Sequence, residues 1–323
     1  MAARIELDSL TKRFGAFTAV DGLSFQAEGG TVLGFLGPNG AGKSTTMKMV
    51  TGFLPSTSGR ALVCGFDVAS DPRSVRERLG YLPEGAPLYP DMTPKSLLEF
   101  AGAARGMGRA ERVRAAGAAA DRVQLGAVLH QRVETLSKGF KRRVGLALSI
   151  LHDPEVLVLD EPTDGLDPNQ KHEVRSLIGE LAEDKVIVLS THILEEVEAI
   201  CTRVVLIAAG AKRFDGTPEQ LAARSPWHGA VRLRLVEGNG ADGAALEKDL
   251  RKLEGVQRVE SRALPGAHEY AVFPGSGGAS RGPLAVDVER LVRARGLAPL
   301  ELSVERGRLD DVFRELTASA ARS

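Results

Sequence analysis

Short apolar runs alternate with helical stretches along roughly the first 220 residues of the chain. Residues 31–36, 156–160, 186–190 and 204–208 are short, rich in Val, Ile and Leu, and do not alternate with polar residues. Such runs are typical of strands buried on both faces of a sheet. Because helical stretches separate them, the pattern predicts an α/β fold with a mainly parallel sheet covered by helices.

The strand signal disappears between about residues 84 and 151, where Ala, Leu, Arg and Glu are frequent. Thr93 followed by Pro94 is a good helix start, because the hydroxyl can cap the helix and proline fits its first position. We therefore expect a helical subdomain, covering about residues 85–151, inserted in the α/β core of residues 1–223.

A different pattern begins after residue 223. Residues 224–229, with the sequence RSPWHG, predict a linker. Val231, Leu233 and Leu235 then alternate with arginines, as expected of a strand with one exposed face. Residues 230–323 continue as helix, strand, strand, helix, strand and a last helix. This order predicts a small α+β domain of the ferredoxin-like type.

Length and composition limit the classes of function. The 323 residues suffice for two domains. Lys and Arg total 42, as do Asp and Glu, and this balance argues against a generic nucleic-acid binder. The two cysteines, Cys64 and Cys201, are expected to be reduced thiols. Because the sequence shows no signal-peptide pattern and no apolar run of membrane-spanning length, we expect a cytoplasmic chain whose membrane role would require a partner.

A glycine-rich loop follows the first buried run and opens a helical stretch. Glycines let backbone N–H groups turn toward phosphate oxygens, and the helix N-terminus adds positive potential. Lys43 would supply a charge near the terminal phosphates, and Ser44 a hydroxyl for Mg²⁺. A turn that merely packs is the alternative. The predicted phosphate-binding residues are Gly37, Pro38, Asn39, Gly40, Ala41, Gly42, Lys43, Ser44 and Thr45.

A second candidate is the pair of carboxylates that ends the apolar run at residues 156–160. Asp160 fits a second anchor for Mg²⁺, and Glu161 fits a general base that polarises an attacking water. Taken alone, such a pair is more often a solvated strand end. The upstream phosphate loop favours the catalytic interpretation.

With these two motifs, residues 4 to 220 resemble the ATP-binding cassette (ABC) family, which has a P-loop NTPase core. Residues 136–140 resemble the family's signature loop, with Ser137, Lys138 and Gly139 at its centre. Residues 165–167, ending in Asp167, resemble its D-loop. His192 resembles the switch histidine, and Phe14 the aromatic residue that stacks on adenine, with a plain core residue as the alternative for Phe14.

The resemblance implies a mechanism. Ser137 begins a helix whose positive end would meet the ATP held by a second copy, so the family implies a head-to-tail homodimer closing over two ATP molecules with Mg²⁺. His192 would hydrogen-bond the γ-phosphate and the attacking water. Asp167 is placed among the nucleotide-binding residues by the same resemblance.

The sequence departs from the family pattern at two points. Glu84 stands where most members have a glutamine that touches Mg²⁺ and couples to the membrane subunit, so Glu84 is a candidate metal ligand. Lys138 and Phe140 replace two residues of the commonest signature, which leaves the main contacts to Ser137 and Gly139.

A closer resemblance is to the ATPases of bacterial exporters that work with a separate permease of about six membrane spans. It implies an ATP hydrolase on the cytoplasmic face of the bacterial inner membrane, with an unknown substrate. Two other functions are open at this point: a cassette ATPase acting on nucleic acid or ribosomes, and a regulatory ATP-binding module with slow turnover. The absence of a sustained heptad run and of a basic face disfavours the first.

Overall fold

The computed structural model describes residues 4–85, 87–236, 243–275 and 281–318. It divides into two compact units. The first comprises the described residues up to Pro218 together with the end of the last helix from Leu316, and the second runs from Glu219 to Glu315.

The first unit contains ten strands and seven α-helices among its described residues, and its central strands lie where the sequence predicts buried runs. Its strands are β1 (Arg4–Phe14), β2 (Phe17–Glu28), β3 (Val32–Leu36), β4 (Ser58–Val63), β5 (Phe66–Asp67), β6 (Leu79–Leu82), β7 (Val156–Asp160), β8 (Val186–Thr191), β9 (Arg203–Ala208) and β10 (Ala211–Gly216). Its helices are α1 (Lys43–Val50), α2 (Pro72–Arg78), α3 (Pro94–Ala104), α4 (Arg109–Arg122), α5 (Lys138–Ile150), α6 (Pro168–Leu181) and α7 (Leu194–Ile200). A short helix, α8 (Pro218–Ala222), begins where this unit ends.

The central sheet has the strand order β10-β9-β3-β8-β7-β6. Neighbours from β9 to β6 pair in parallel, and β10 joins β9 as an antiparallel edge. Every residue of β3, β7 and β8 is buried, as the unbroken apolar runs require. The predicted α/β fold with a mainly parallel sheet is confirmed.

A second, antiparallel sheet was not predicted. Its order is β2-β1-β4-β5, and Ile5 and Phe25 on its strands belong to the same apolar core as Phe35 and Val158 of the central sheet. The rings of Phe25 and Phe35 lie 5.9 Å apart. The central sheet is therefore covered partly by strands as well as by helices.

The region predicted to be helical carries α3, α4 and α5. Helix α3 begins at Pro94, and its cap is reciprocal: Ser96 N donates to Thr93 Oγ1 at 3.2 Å, and Thr93 N donates to Ser96 Oγ at 3.0 Å. The predicted helix start is confirmed. No helix within the described ranges combines the length and the apolar character that a bilayer crossing demands.

The second unit is a four-stranded antiparallel sheet with helices. In chain order its elements are β11 (Val231–Val236), α9 (Gly243–Leu250), β12 (Val256–Leu264), β13 (Ala267–Pro274), α10 (Arg281–Ala294), β14 (Pro299–Val304) and α11 (Leu309–Ala318). The sheet order β12-β13-β11-β14, antiparallel throughout, is the ferredoxin-like arrangement. Leu233, Leu246, Tyr270 and Val288 lie in its core.

The segment predicted as a linker, residues 224–229, belongs to the second unit instead. The ring of Trp227 packs on Phe273 with centroids 4.8 Å apart, and Gly229 N donates to Glu305 O at 2.9 Å. The Ser-Pro and Gly residues do form turns, but the tryptophan anchors those turns against the sheet. Local composition predicts the turns and misses this long-range contact.

Candidate functional site

The glycine-rich loop lies between the end of β3 and the start of α1, at the carboxyl edge of the central sheet. Gly42 caps α1 with φ of 104°, and a Cβ there would lie 2.5 Å from Ala19 O. A Cβ on Gly37 would lie 2.5 Å from Ile207 O. Because both clashes are with backbone, neither position accepts a side chain without a shift of the main chain.

Lys43 is buried at the first position of α1. Its Nζ donates to Gly37 O at 2.6 Å and to Pro38 O at 3.2 Å. Burial lowers the pKa of Lys43, and the charges of Glu161, Asp160 and Glu84 act in the opposite direction. The loop lysine and the three acidic residues that the sequence singled out therefore interact in one site.

Asp160 ends β7 and is 1% exposed. Ser190, at the neighbouring position of β8, donates its hydroxyl hydrogen to Asp160 Oδ1. Glu161 N donates to Ser190 O at 3.1 Å and to Ser190 Oγ at 3.2 Å. Ser190 thus fixes both acidic residues at the strand end.

Glu161 contacts His192 directly. Glu161 Oε1 and His192 Nδ1 lie 2.9 Å apart. The Glu161 side chain is 17% exposed and the imidazole 45% exposed, so solvent or a ligand can reach the pair. The backbone of Glu161 has φ of 50°, a left-handed conformation that costs energy for a residue with a side chain and that is common at functional sites.

The backbone around His192 is held by a buried carboxyl group. Thr191 Oγ1 donates to Glu196 Oε2 at 2.7 Å and accepts from Ile193 N at 3.0 Å. Glu196 is 1% exposed, and this burial raises its pKa. The bond to Thr191 therefore fixes the chain on both sides of His192.

The donor set suits Mg²⁺ carried by a nucleotide. Such a magnesium ion uses one or two protein carboxylates or hydroxyls and takes its other oxygens from phosphates and water. Within the described ranges no group of three or more His, Cys, Asp or Glu side chains has a metal-binding arrangement. The structure instead offers Ser44 next to Lys43, and the convergent charges of Asp160 and Glu84. These residues fit a phosphate-bound magnesium.

The signature residues lie at the start of α5. Ser137 caps this helix by accepting from Phe140 N at 3.3 Å. Ser137 and Lys138 are exposed, whereas Gly139 is buried, and a Cβ on Gly139 would meet Gln170 Oε1 at 2.3 Å. Asp167 caps α6 by accepting from Gln170 N at 2.9 Å. The signature and D-loop segments are therefore neighbours within one chain.

Phe14 and Glu84 are both accessible. Phe14 is 49% exposed at the end of β1, with Lys12 Nζ 5.2 Å from its ring centroid. The alternative of a plain core residue for Phe14 is therefore wrong. Glu84 is exposed in the loop after β6, near enough to influence the pKa of Lys43.

Four residues that contact the candidate site residues or their neighbours were not predicted from the sequence to contribute to the site. Ser190, Thr191 and Glu196 act through the contacts above, and Arg142 of α5 donates to the carbonyls around Glu161. The sequence carried no clear signal for Arg142, because it lies between Lys141 and Arg143 in a basic stretch at the start of α5. Its partners could not be read from the sequence.

A separate groove in the first unit has a volume of about 960 Å³. Phe53 and Phe100, which line it, are 74% and 51% exposed, and Tyr81 and Leu148 contribute further apolar surface. Arg105 is a basic member of its wall. Exposed aromatic residues of this kind mark surfaces that bind other proteins.

Comparisons with known proteins identify the family of the chain. The family described as "ABC transporter" matches residues 20–164. The Nod factor export ATP-binding protein I of Paraburkholderia xenovorans is 38% identical over 80% of this chain and 83% of its own length. The linearmycin resistance ATP-binding protein LnrL of Bacillus subtilis is 30% identical over 98% of this chain and 99% of its own.

Among solved structures, an ATP-binding subunit of an ABC transporter is 30% identical, with a TM-score of 0.63. The alignment covers 68% of this chain and 92% of that one. The chain belongs to the ABC transporter family. It is an ATP-binding subunit with ATP hydrolase activity.

Proposed function

We propose that two copies of this chain bind two ATP molecules head to tail and hydrolyse them to power export by a separate permease of about six spans. Residues 1–223 would form the nucleotide-binding domain, and residues 230–323 an accessory domain. The observation that carries the proposal is the Glu161–His192 contact of 2.9 Å beside Asp160 and Lys43. These groups lie at the carboxyl ends of parallel strands, where open α/β sheets bind their ligands.

The phosphate loop would bind the triphosphate. Backbone N–H groups of the loop between Gly37 and Thr45, other than that of Pro38, and the ammonium of Lys43 would face the phosphate oxygens. Lys43 would exchange its bonds to Gly37 O and Pro38 O for phosphate contacts, which compensates for its burial. Phe14 would stack on the adenine ring through its exposed face.

Hydrolysis would depend on the two residues in direct contact. Glu161 accepts a proton from the attacking water, and His192 hydrogen-bonds the γ-phosphate and holds Glu161 in place. Ser44 and Asp160, with Glu84 as a further ligand, would hold Mg²⁺, which when bound would supply charge neutralisation of the phosphates. Ser190 would restrain the Asp160 carboxylate through its hydrogen bond to Oδ1.

The second copy would complete each site. Ser137 and Lys138 are exposed at the N-terminus of α5, which leaves the positive end of this helix open to a phosphate of the partner's ATP. Gly139 lets the start of α5 pack against Gln170 of α6, and Asp167 is exposed on the adjacent segment.

The permease would dock on the groove lined by Phe53 and Phe100. The relative named for Nod factor export supports export as the direction. We place the dimer on the cytoplasmic face of the bacterial inner membrane, held there by the permease, with no role for nucleic acid.

The test is purification of a tagged Glu161→Gln chain from gently solubilised cells with ATP and Mg²⁺, followed by mass spectrometry. The expected result is an integral membrane protein of about six spans at near-equal stoichiometry. Adding Phe100→Glu should remove it, while Val113→Glu, at an exposed apolar position of α4 outside the groove, should not. Recovery of only ribosomes or nucleic acid would contradict the proposal.

A further inference from the structure

Arg142 has an unusual set of partners for a buried arginine. It lies on α5, is 6% exposed, and donates to backbone carbonyls rather than to a carboxylate. Its Nε donates to Pro162 O at 3.3 Å, and Nη1 donates to Pro83 O at 3.2 Å. Its Nη2 donates to Asp160 O at 2.7 Å and also to Glu161 O.

These carbonyls belong to the two segments that carry acidic site residues. Asp160, Glu161 and Pro162 are consecutive, and φ of 50° at Glu161 takes this stretch out of regular strand geometry. Glu161 O also accepts from Asp164 N at 3.2 Å, and Arg142 supplies a further side-chain donor to the carbonyls of this irregular stretch. The fourth carbonyl, of Pro83, directly precedes Glu84. One guanidinium therefore holds the peptide groups on both sides of the site.

The same side chain is attached to the helix that Ser137 caps, little more than one helical turn further along. We propose that Arg142 is a positioning residue that fixes the Glu161 backbone and ties it to α5. A shift of α5 would then move the peptide groups that aim the Glu161 carboxylate. This inference rests on the proposed role of Glu161 in hydrolysis.

Only arginine has the donors for this task. Its planar guanidinium carries five N–H groups, of which four engage the carbonyls in a fixed geometry. Lysine offers a compact ammonium that cannot span all four. Because Arg142 is buried, its charge lies there against a desolvation cost, and this burial lowers its pKa. Packing alone does not require a charge, because methionine would fill similar volume.

The next residue is a matched control. Arg143 is 8% exposed on the same helix, but its Nη2 donates to Glu173 Oε2. Its Nη1 donates to Val123 O and to Gln124 Oε1, both at 3.4 Å. None of these partners belongs to the proposed site. Substitution of Arg143 tests what the loss of a buried arginine does to α5 without touching the carbonyls around Glu161.

The experiment compares Arg142→Met, Arg142→Lys and Arg143→Met with the unchanged chain. ATP hydrolysis gives kcat and KM, equilibrium binding of a fluorescent ATP analogue gives nucleotide affinity, and thermal unfolding gives Tm. Activity is normalised to folded protein and measured well below the lowest Tm. Since Arg142→Met can fail to fold, Arg142→Lys provides a second variant. Glu161→Gln is measured in parallel.

We expect kcat to fall about 100-fold in Arg142→Met and about 10-fold in Arg142→Lys, because small displacements of a catalytic group have effects of this size. Nucleotide affinity should change less than about 3-fold, since the phosphate loop is untouched. Arg143→Met should lower Tm and keep kcat within about 3-fold.

Two outcomes overturn the inference. In one, the Arg142 variants keep full kcat while Glu161→Gln is inactive. In the other, the Arg142 and Arg143 variants lose kcat in parallel with Tm, which would make Arg142 merely structural. If Glu161→Gln itself keeps full activity, the proposed role of Glu161 fails instead, and the two failures are thereby distinguished.

Discussion

The two units of this chain differ in where several of their charged side chains lie, which is buried in the first unit and partly exposed in the second. In the first, Lys43, Asp160, Arg142 and Glu196 are each at most 6% exposed, and Lys43, Asp160 and Arg142 lie at or contact segments that follow strands of the central sheet. In the second, Arg234 pairs with Glu269 and Glu301 on the two neighbouring strands and remains partly exposed. The core of the second unit is apolar.

This difference distinguishes the unit in which a reaction takes place from the unit that has a structural role. Burying a charge is costly unless a partner compensates, so a cluster of buried charges marks a place where a ligand or a reaction uses them. Cross-strand pairs at a partly exposed surface add little stability and no reactivity. We therefore assign hydrolysis to the first unit and expect substitutions in the second to leave it unchanged.

The largest effect is expected for Glu161→Gln. The amide cannot accept a proton from water, so kcat should fall about 10²- to 10⁴-fold, while ATP still binds. Steady-state hydrolysis and equilibrium ATP binding measure the two quantities. Glu195→Gln, an exposed acid on α7, is the control and should keep normal kcat. Undiminished turnover in Glu161→Gln would remove this residue from the mechanism.

Next in size is Lys43→Ala. Loss of a buried ammonium that faces phosphate should weaken ATP binding by about 2–5 kcal/mol, which is roughly 30- to several thousand-fold in Kd. Titration calorimetry with a slowly hydrolysed ATP analogue measures this change. Lys48→Ala, an exposed lysine on the same helix, should leave Kd unchanged. An unaltered Kd in Lys43→Ala would contradict the phosphate-loop assignment.

A fall in pH should lower the free energy of unfolding of the first unit, which contains His152, and not that of the second. Burial, followed by the charge of Arg105, lowers the pKa of His152 from 6.5 to about 4. The unfolded chain therefore binds the proton first, and about 3 kcal/mol of stability is lost as pH falls from 6.5 to 4.

Urea unfolding at several pH values tests this loss. Far-ultraviolet circular dichroism reports both units, whereas Trp227, the sole tryptophan, lies in the second. We expect the acid shift in the first unit's transition and its disappearance in His152→Gln. An equal shift in the Trp227 signal, or one that persists in His152→Gln, would assign the effect to other groups.

The smallest effect is expected for Arg234→Met in the second unit. It removes ion pairs to Glu269 and Glu301 at a partly exposed position, so Tm should fall by only a few degrees. The kcat for ATP should not change. A large loss of kcat with an intact fold would show that the second unit takes part in hydrolysis and would contradict the assignment of hydrolysis to the first unit alone.

The sequence predicts the parts of the fold and site that depend on local pattern. The buried runs of β3, β7 and β8 are continuous and apolar, and the glycine-rich loop has a fixed spacing. The sequence alone therefore predicts these strands and this loop. Asp160, Glu161 and His192 follow such runs directly, which places them at one sheet edge.

The parts that escaped prediction depend on irregular pairing or on distant contacts. Strand β1 shifts register against β2 three times between Leu7 and Arg13, which destroys the alternation that would reveal the antiparallel sheet. Arg142 acquires its partners only when α5 packs near residues 83 and 160–162. Trp227 likewise anchors a turn-forming segment through a contact with Phe273.

The central claim is that each ATP site is shared by two copies of the chain. It predicts that two inactive variants restore each other when mixed. Ser137→Arg blocks the helix end that meets the partner's ATP, and Glu161→Gln removes the base. A mixed dimer then contains one site with an intact Glu161 from one copy and an intact Ser137 from the other.

The decisive measurement is therefore ATP hydrolysis by an equimolar mixture of Ser137→Arg and Glu161→Gln. Since random pairing makes half of the dimers mixed, each with one intact site of two, we expect about a quarter of normal turnover. Each variant alone should be inactive. A mixture no more active than either variant, although both bind ATP and mixed dimers form, would contradict a shared site.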